Sequence, residues 1–181
     1  LTEEGVHAIH DAAMRILEET GIEFLNEEAL DLFEEAGCTV TGQNVRMGRD
    51  WVMEMVRQAP SEFTLTPRNP ARTLKVGGKT ILFGHVSSPP NYWDARTGKV
   101  PGTRAQCRDL LKLTHAFNCV HFAGGYPVEP VDIHASVRHL DVLHDKLMLT
   151  DKVVHAYSLG AERVEDVMEM VRLAGGLSHE E

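Results

Sequence analysis

Histidine is the residue type with the most obvious capacity for chemistry in this sequence, since ten histidines occur among 181 residues. His134, His139 and His144 recur at intervals of five in a segment with helical spacing. Five residues rotate a helix by about 140° beyond a full turn, so these side chains cannot converge on one ion as an i, i+4 pair could. His7 and His10 share a helix face but have no third ligand nearby. The sequence therefore predicts no metal site.

The cysteines and glycine pairs indicate no other reactive motif. Three cysteines, an odd number with no Cys-x-x-Cys pair, predict reduced thiols rather than a disulfide framework or a zinc knuckle. Gly77-Gly78 and Gly175-Gly176 do not stand between a strand and a helix in a Gly-x-Gly-x-x-Gly pattern, so turns explain both better than a phosphate-binding loop.

Charge and hydropathy limit the kinds of partner that the protein is expected to bind and the cell compartment in which it is expected to lie. The 27 acidic and 18 basic residues give a net charge of -9, which repels nucleic acid and anionic lipid. No apolar run approaches the roughly 20 residues of a membrane helix, and the N-terminus lacks a secretory pattern. The sequence predicts a cytoplasmic protein with neither nucleic-acid nor membrane partners, and its start at Leu1 suggests that residues are missing upstream.

Residues 1–61 are expected to form an N-terminal helical extension. Apolar residues recur there at three- and four-residue spacing, and the runs are bounded by capping residues, glycine or proline. The three predicted helices run from a cap at Thr2 to Gly21, from a cap at Asn26 to Gly37, and from about Arg49 to Pro60.

Residues 62–102 are expected to form a small antiparallel β element and a loop. Gly77-Gly78 has the composition of a two-residue hairpin turn. Residues 84–102 are rich in Pro, Ser, Asn and Gly, and a turn from Asp94 to Gly98 predicts an ordered loop. The alternating apolar residues are Phe63 and Leu65, Leu74 and Val76, and Ile81 and Phe83.

Residues 103–181 alternate between helix and strand patterns. A capping box of Thr103 and Gln106 opens a helix, and strands predicted at 120–123 and 153–157 are each followed by another helix. The pattern predicts an α/β fold whose last part is the first β/α units of an incomplete (β/α)8 TIM barrel. Two units are complete, or three if residues 81–85 form the first barrel strand. Since such a barrel takes about 250 residues, more units are expected after Glu181.

Several phrases, in order along nearly the whole chain, resemble the trimethylamine methyltransferase family. They are Ile16-Leu17-Glu18-Glu19-Thr20-Gly21-Ile22, Ala29-Leu30-Asp31-Leu32-Phe33-Glu34-Glu35-Ala36-Gly37, Ala59-Pro60-Ser61-Glu62-Phe63, Arg68-Asn69-Pro70-Ala71-Arg72 and Gly124-Gly125-Tyr126-Pro127-Val128-Glu129-Pro130-Val131-Asp132. The resemblance implies a longer (β/α)8 barrel with an N-terminal extension. It also implies transfer of a methyl group, as in methanogenesis, from a methylated amine such as trimethylamine or glycine betaine to the cobalt of a corrinoid protein.

The partners implied by the resemblance are a small methylated amine and a cognate corrinoid protein, which carries the cobalamin-type corrinoid cofactor. Some family members contain pyrrolysine in a C-terminal half that lies beyond this chain. A chain without most of the barrel is expected to be inactive alone, although its parent is an enzyme. The non-catalytic alternative is a module that docks the corrinoid protein, or forms a homo-oligomer, through its uncovered strand edges.

Methyl transfer of this kind is an in-line displacement, for which the protein must hold a cation that donates no hydrogen bond. Aromatic faces and a carboxylate meet that need, and barrels present such groups on loops after the C-terminal ends of strands. The resemblance thus implies eight substrate-binding candidates but no catalytic residue. They are His85, Tyr92, Trp93, Tyr126, Glu129, Asp132, His155 and Tyr157, with Ser158 beside the last.

Several candidates also have a structural interpretation. Tyr126 could cap a turn, although the two glycines before it would let a ligand approach the backbone. Glu129 and Asp132 could cap the helix that follows them, and Trp93 could be a lid packed on its own loop. His155 points either into the barrel or towards the helices, because neighbouring strand residues face opposite ways.

Overall fold

The structure is a computed structural model that describes residues 2–157 and 159–178. The chain divides into two compact units, Leu1–Pro60 and Ser61–Glu181. Both units combine helices with short strands, so the chain has a mixed α/β fold.

The first unit contains the three helices expected from the sequence. The Thr2 hydroxyl caps the first by accepting a hydrogen bond from Gly5 N at 3.2 Å. The Asn26 side chain caps the second by accepting from Ala29 N at 2.9 Å. The predicted caps are confirmed, because each supplies an acceptor to an amide of the first turn. The helices are α1 (Glu3–Arg15), which continues into a π-helical turn over Ile16–Thr20, α2 (Glu27–Glu35) and α3 (Arg49–Gln58).

The first unit also contains a three-stranded antiparallel sheet that was not predicted. Its strands are β1 (Ile22–Glu23), β2 (Thr39–Thr41) and β3 (Asn44–Arg46), in the order β1-β3-β2. Val45 of the central strand is fully buried, opposite Ile22 on one side and Val40 on the other. Strands of two or three residues are too short to show alternation, and the turn at Gly42, whose φ is +60°, is the feature that could have revealed the hairpin.

The second unit begins with a hairpin whose strands pair differently from the prediction. Strand β4 (Glu62–Leu65) is antiparallel to β5 (Leu74–Gly77), with Phe63 opposite Val76. The predicted hairpin across Gly77-Gly78, which joined 74–76 to 81–83, is therefore wrong. Alternation identifies a strand, but the choice of its partner depends on which apolar faces can be buried together.

A second hairpin occupies part of the predicted loop. Strands β6 (Asn91–Asp94) and β7 (Gly98–Pro101) are antiparallel. The turn between them forms as expected, since the Asp94 carboxylate accepts hydrogen bonds from Arg96 N at 2.9 Å and Thr97 N at 3.0 Å. The loop prediction was wrong for the residues on either side of the turn, where the Pro and Asn content concealed two short strands.

Helices and strands alternate from residue 104 onward, as predicted. Strands β8 (Phe122–Ala123) and β9 (Val153–Val154) are parallel, with Phe122 opposite Val153, and Gly84 forms a parallel bridge with Phe122. Three segments therefore lie side by side in their order along the chain, although residues 2–157 and 159–178 form no closed barrel. The elements are α4 (Arg104–Ala116), β8 (Phe122–Ala123), α5 (Arg138–Leu149), β9 (Val153–Val154) and α6 (Ala161–Gly175).

The two faces of the parallel segments have different neighbours. Ala123 and Val154 pack in a buried cluster that includes Cys107 of α4. Phe122 and His155 line a cavity of about 530 Å³ together with the β4–β5 hairpin. The His155 side chain thus borders this cavity beside the hairpin.

Candidate functional site

A cavity of about 250 Å³ lies where the chain leaves the C-terminal ends of the three parallel segments. Each segment contributes a polar or aromatic side chain shortly after its last paired residue, and the first residues of α5 and α6 add two arginines. Residues that follow parallel strands meet at one edge of a sheet, which is where α/β proteins bind ligands. The polar and aromatic lining residues are Ser88, Tyr126, Glu129, Arg138, Tyr157 and Arg163.

Two tyrosines form the aromatic wall of this cavity. The ring centroids of Tyr126 and Tyr157 are 4.6 Å apart with an interplanar angle of 66°, an edge-to-face contact. Gly125 permits this contact, since a Cβ atom there would lie 2.5 Å from the Tyr157 hydroxyl. Burial raises the pKa of the Tyr126 hydroxyl, an effect that the positive charge of Arg163 opposes. Tyr126 therefore borders the cavity as a neutral ring at physiological pH.

The segment that follows the first parallel strand is held against the tyrosines. The Ser87 hydroxyl accepts a hydrogen bond from Gly125 N at 2.9 Å, and Ser88 N donates to Tyr126 O at 2.6 Å. The hydroxyls of Ser88 and Tyr157 are hydrogen-bonded to each other. Ser88 has a φ of +57°, the one positive value at a non-glycine residue within the described chain. Backbone strain of this kind concentrates at functional sites.

The charges in the cavity do not cancel. The Glu129 carboxylate is paired with Arg138, whose guanidinium also donates to Ile133 O at 2.8 Å. No hydrogen bond or ion pair joins Arg163 to any residue in 2–157 or 159–178. The lining residues therefore carry one positive charge in excess, which favours a ligand with an anionic group.

Three of the predicted substrate-binding residues meet in this cavity: Tyr126, Glu129 and Tyr157. Asp132 lies elsewhere, and its carboxylate accepts a hydrogen bond from Arg104 N at 2.9 Å. It thus caps α4, which precedes it in the chain, rather than the helix that follows.

The other described residues among the predictions do not line the cavity. His155 is exposed, and its ring lies 6.1 Å from that of Tyr157. Tyr92 packs against the buried cluster, whereas the neighbouring Trp93 is 77% exposed. These two aromatic side chains point to opposite sides of β6. Ser158 lies outside the described residues.

His85 directly follows Gly84, the paired residue of the first parallel segment, and lies beside Gly124. Its Nδ1 donates to Val86 O at 2.8 Å, while Nε2 is buried without a hydrogen-bond partner among the described residues. Burial lowers the pKa of its imidazole. His85 is therefore held in its neutral form.

The sequence reasoning missed both arginines and Ser88. Arg138 and Arg163 begin the helices that follow the predicted strands, and this position was a usable signal. A β/α unit places the first turn of its helix at the same edge as the strand's C-terminal end. Ser88 carried no signal, since its backbone conformation is set by contacts with Tyr126 and Tyr157.

The three evenly spaced histidines each contact a different group. His134 bonds Ser136 Oγ at 2.7 Å, His139 bonds Asp166 at 2.8 Å, and His144 lies 3.7 Å from Asp145. Among residues 2–157 and 159–178, no group of three or more His, Cys, Asp or Glu side chains is placed to hold a metal ion. In the same part of the chain, no helix has the length and apolarity needed to cross a membrane.

The whole chain, residues 1–181, matches the profile of the family described as Trimethylamine methyltransferase (MTTB). The chain belongs to this family. It is 36% identical over 176 residues to a glycine betaine methyltransferase of Desulfitobacterium hafniense, a match that covers 97% of the chain and 37% of the relative. It is 26% identical over 181 residues to a trimethylamine methyltransferase of the same species, covering 98% of the chain and 36% of the relative.

A shorter match, 38% identical over 61 residues, is to a proline betaine:corrinoid methyltransferase of Eubacterium limosum, and it covers 34% of the chain and 13% of that relative. The chain spans little more than a third of the length of the curated relatives that it matches throughout. Family membership agrees with the resemblance seen in the sequence phrases.

Proposed function

We propose that the whole protein containing this chain transfers a methyl group from a quaternary amine to the cobalt of a corrinoid protein. In this proposal the chain supplies the N-terminal extension and the first β/α units of a (β/α)8 barrel. Family membership supports the reaction, and a relative's name includes the corrinoid acceptor. The three parallel segments in sequential order, each followed by a helix, are the arrangement with which such a barrel begins.

The cavity at the C-terminal edge is the proposed site for the methyl donor. A quaternary ammonium group donates no hydrogen bond, so aromatic faces and nearby negative charge must hold it. Tyr126 and Tyr157 supply the aromatic faces, and Glu129 supplies a carboxylate already paired with Arg138. The remaining wall would come from strands beyond this chain.

The proposed chemical step requires positioning rather than a protein nucleophile. The carbon–nitrogen bond breaks and its electron pair stays on nitrogen, which leaves a neutral tertiary amine. The methyl carbon forms its new bond with a Co(I) acceptor, which supplies both electrons. Here the corrinoid is a substrate that the partner protein carries. The methyltransferase must hold the donor so that one methyl group lies in line with the cobalt.

The observation that favours one class of donor is the charge of Arg163, which has no hydrogen-bond or ion-pair partner among residues 2–157 and 159–178. Trimethylamine has no anionic group, whereas a betaine joins a quaternary ammonium to a carboxylate. A guanidinium binds carboxylate through paired hydrogen bonds. The cavity therefore favours a betaine, with its ammonium group against the tyrosines and its carboxylate against Arg163.

The test is an anaerobic assay of the whole protein with cob(I)alamin and, separately, glycine betaine, proline betaine and trimethylamine. We expect methylcobalamin to form fastest with a betaine. Failure to form methylcobalamin from any of the three would contradict the proposed reaction, and a preference for trimethylamine would contradict the proposed donor.

The variant Arg163→Met tests the carboxylate contact directly. We expect kcat/KM for the betaine to fall about tenfold to a hundredfold, the loss typical of a hydrogen bond to a charged group, while the value for any quaternary amine without a carboxylate stays unchanged. The matched control is Arg172→Met on the same helix, because Arg172 pairs with Glu169 away from the cavity. An equal loss in both variants would contradict the role of Arg163.

A further inference from the structure

Lys146 of α5 is the largest fully buried side chain of the described residues, with 1% of its surface exposed. Its Nζ donates hydrogen bonds to Gly124 O and His155 O, both at 2.6 Å. It also lies 6.0 Å from the centroid of the Tyr126 ring. A buried ammonium group is costly unless it is fully engaged, so these contacts are the reason that a lysine can occupy this position.

The two carbonyl groups held by Lys146 have equivalent places in the chain. Gly124 follows directly after β8, and His155 follows directly after β9. Tyr126 stands two residues beyond the first carbonyl, and Tyr157 stands two residues beyond the second. One ammonium group therefore binds the first carbonyl after each of two adjacent parallel strands. The tyrosine that lines the cavity follows two residues later in each case.

The fold contains a second buried lysine that serves as a comparison. Lys152 lies just before β9, at the opposite end of the parallel segments, and 4% of its surface is exposed. Its Nζ donates to Thr114 O at 2.6 Å, Phe117 O at 2.7 Å and Val120 O at 2.6 Å. These carbonyls belong to the end of α4 and the turn after it, so Lys152 has the same chemistry but no connection to the cavity.

We infer that Lys146 is a positioning residue, which sets the distance and angle between the Tyr126 and Tyr157 rings by holding the backbone carbonyls of Gly124 and His155. The hydrogen bonds of Ser88 to Tyr126 O and to the Tyr157 hydroxyl hold the same pair from the other side. Lys146 itself does not line the cavity. The kinetic test of this role rests on the proposed function, whereas a test of tyrosine geometry does not.

The groups that face Lys146 predict a characteristic pH dependence. They are Cys107 from α4, His85 after the first parallel segment, Tyr126 after β8 and the His155 carbonyl after β9. Burial lowers the pKa of Lys146 to about 8. Burial also raises that of Cys107 to about 11 and lowers that of His85. Of these groups, Lys146 is the one expected to lose its proton near pH 8, which weakens its hold on both carbonyls.

The first experiment follows the tyrosine rings of the whole protein, labelled with ring-¹³C tyrosine, by NMR between pH 6.5 and 9.5. The signals of Tyr126 and Tyr157 are assigned with the variants Tyr126→Phe and Tyr157→Phe. We expect both signals to shift together with a midpoint near pH 8, and the shift to be absent in Lys146→Met. In the control variant Lys152→Met, both signals should keep the wild-type shift.

The second experiment compares the steady-state kinetics of the same two variants. We expect Lys146→Met to raise KM for the methyl donor about tenfold, because the two tyrosine rings lose their fixed spacing. We expect Lys152→Met to lower the melting temperature with KM unchanged. Tyrosine signals that do not move near pH 8 in the wild-type protein would overturn the inference, and this result does not depend on whether Lys146→Met folds. If no methylated amine were a substrate, the proposed function would fail, but the NMR titration would still decide the role of Lys146.

Discussion

Replacing Asp145 by alanine is expected to destabilise the second unit more than the loss of any exposed ion pair. The Asp145 carboxylate has 0% exposure and joins α5 to α4. It accepts from Arg104 Nε at 2.8 Å and from a second guanidinium nitrogen of Arg104 at 3.2 Å, and it also pairs with Arg108. The three hydrogen bonds are made by two cations of one helix to one buried anion.

The size of the stability loss depends on how well Arg104 and Arg108 are accommodated once the Asp145 carboxylate is removed. Removing one partner of a buried ion pair costs about 3–5 kcal/mol when the other charge stays buried. The side chains of Arg104 and Arg108 are 35% and 38% exposed, so both can regain water, and Asp141 still pairs with Arg104 at 2.6 Å. We therefore expect a loss of about 2–3 kcal/mol in the free energy of unfolding.

Urea denaturation followed by circular dichroism measures this loss. With a typical m value of about 2 kcal/mol/M, the midpoint for Asp145→Ala should fall by about 1–1.5 M. The matched control is Asp109→Ala, which removes an exposed carboxylate paired with Lys112 on α4 and should change the stability by less than about 0.5 kcal/mol. Equal losses in the two variants would refute the reasoning.

The pKa of the Asp145 carboxyl group predicts how the stability difference between the wild-type protein and Asp145→Ala depends on pH. Burial alone would raise the pKa of Asp145, but Arg104 and Arg108 together hold it below the ordinary value. The unfolded chain therefore takes up a proton before the folded protein does, so the stability that Asp145 contributes is lost as pH falls. The gap between wild type and Asp145→Ala should be constant from pH 7 to 5 and narrow below about pH 4.

Two further predictions concern the thiols and a glycine. Cys119 is exposed and should react rapidly with a thiol reagent at pH 8. Cys107 is fully buried, and burial raises its pKa to about 11, so it should react only on unfolding. Equal reaction rates for the two thiols would contradict the buried position of Cys107 in α4. Gly125→Ala should lower stability by about 1–3 kcal/mol and weaken donor binding, because the added methyl group meets the Tyr157 hydroxyl. Gly48→Ala, where nothing lies within 4 Å of the added methyl group, is the control for donor binding.

Local signals predicted the helices well. Thr2 and Asn26 cap α1 and α2 as expected, because a capping hydrogen bond spans only three residues. The alternation of helices and strands after residue 103 also appeared correctly. The helix α4 begins after Thr103 as predicted, but the capping box did not form, because the Thr103 hydroxyl donates to the Gln106 side chain and does not accept from a backbone amide. The Arg104 amide donates instead to Asp132, 28 residues away.

The candidate site could be predicted in part. Tyr126, Glu129 and Tyr157 follow strands, and parallel strands bring such residues to one edge; the structure places all three in one cavity. Tyr92 and Trp93 were reasonable aromatic candidates, but the loop that carries them is a hairpin, which turns neighbouring side chains to opposite sides.

The sequence by itself determined the helices, the order of the β/α elements and the family, because each depends on residue spacing or on phrases read directly along the chain. Only the tertiary structure decided that β5 pairs with β4 and that Lys146 joins the strands carrying the tyrosines. It also decided that Arg138 neutralises Glu129, while Arg163 has no such partner in the part of the chain that the structure describes. These features depend on contacts between residues far apart in the chain. Such contacts are selected by which surfaces and charges can be buried together, and no local pattern records that choice.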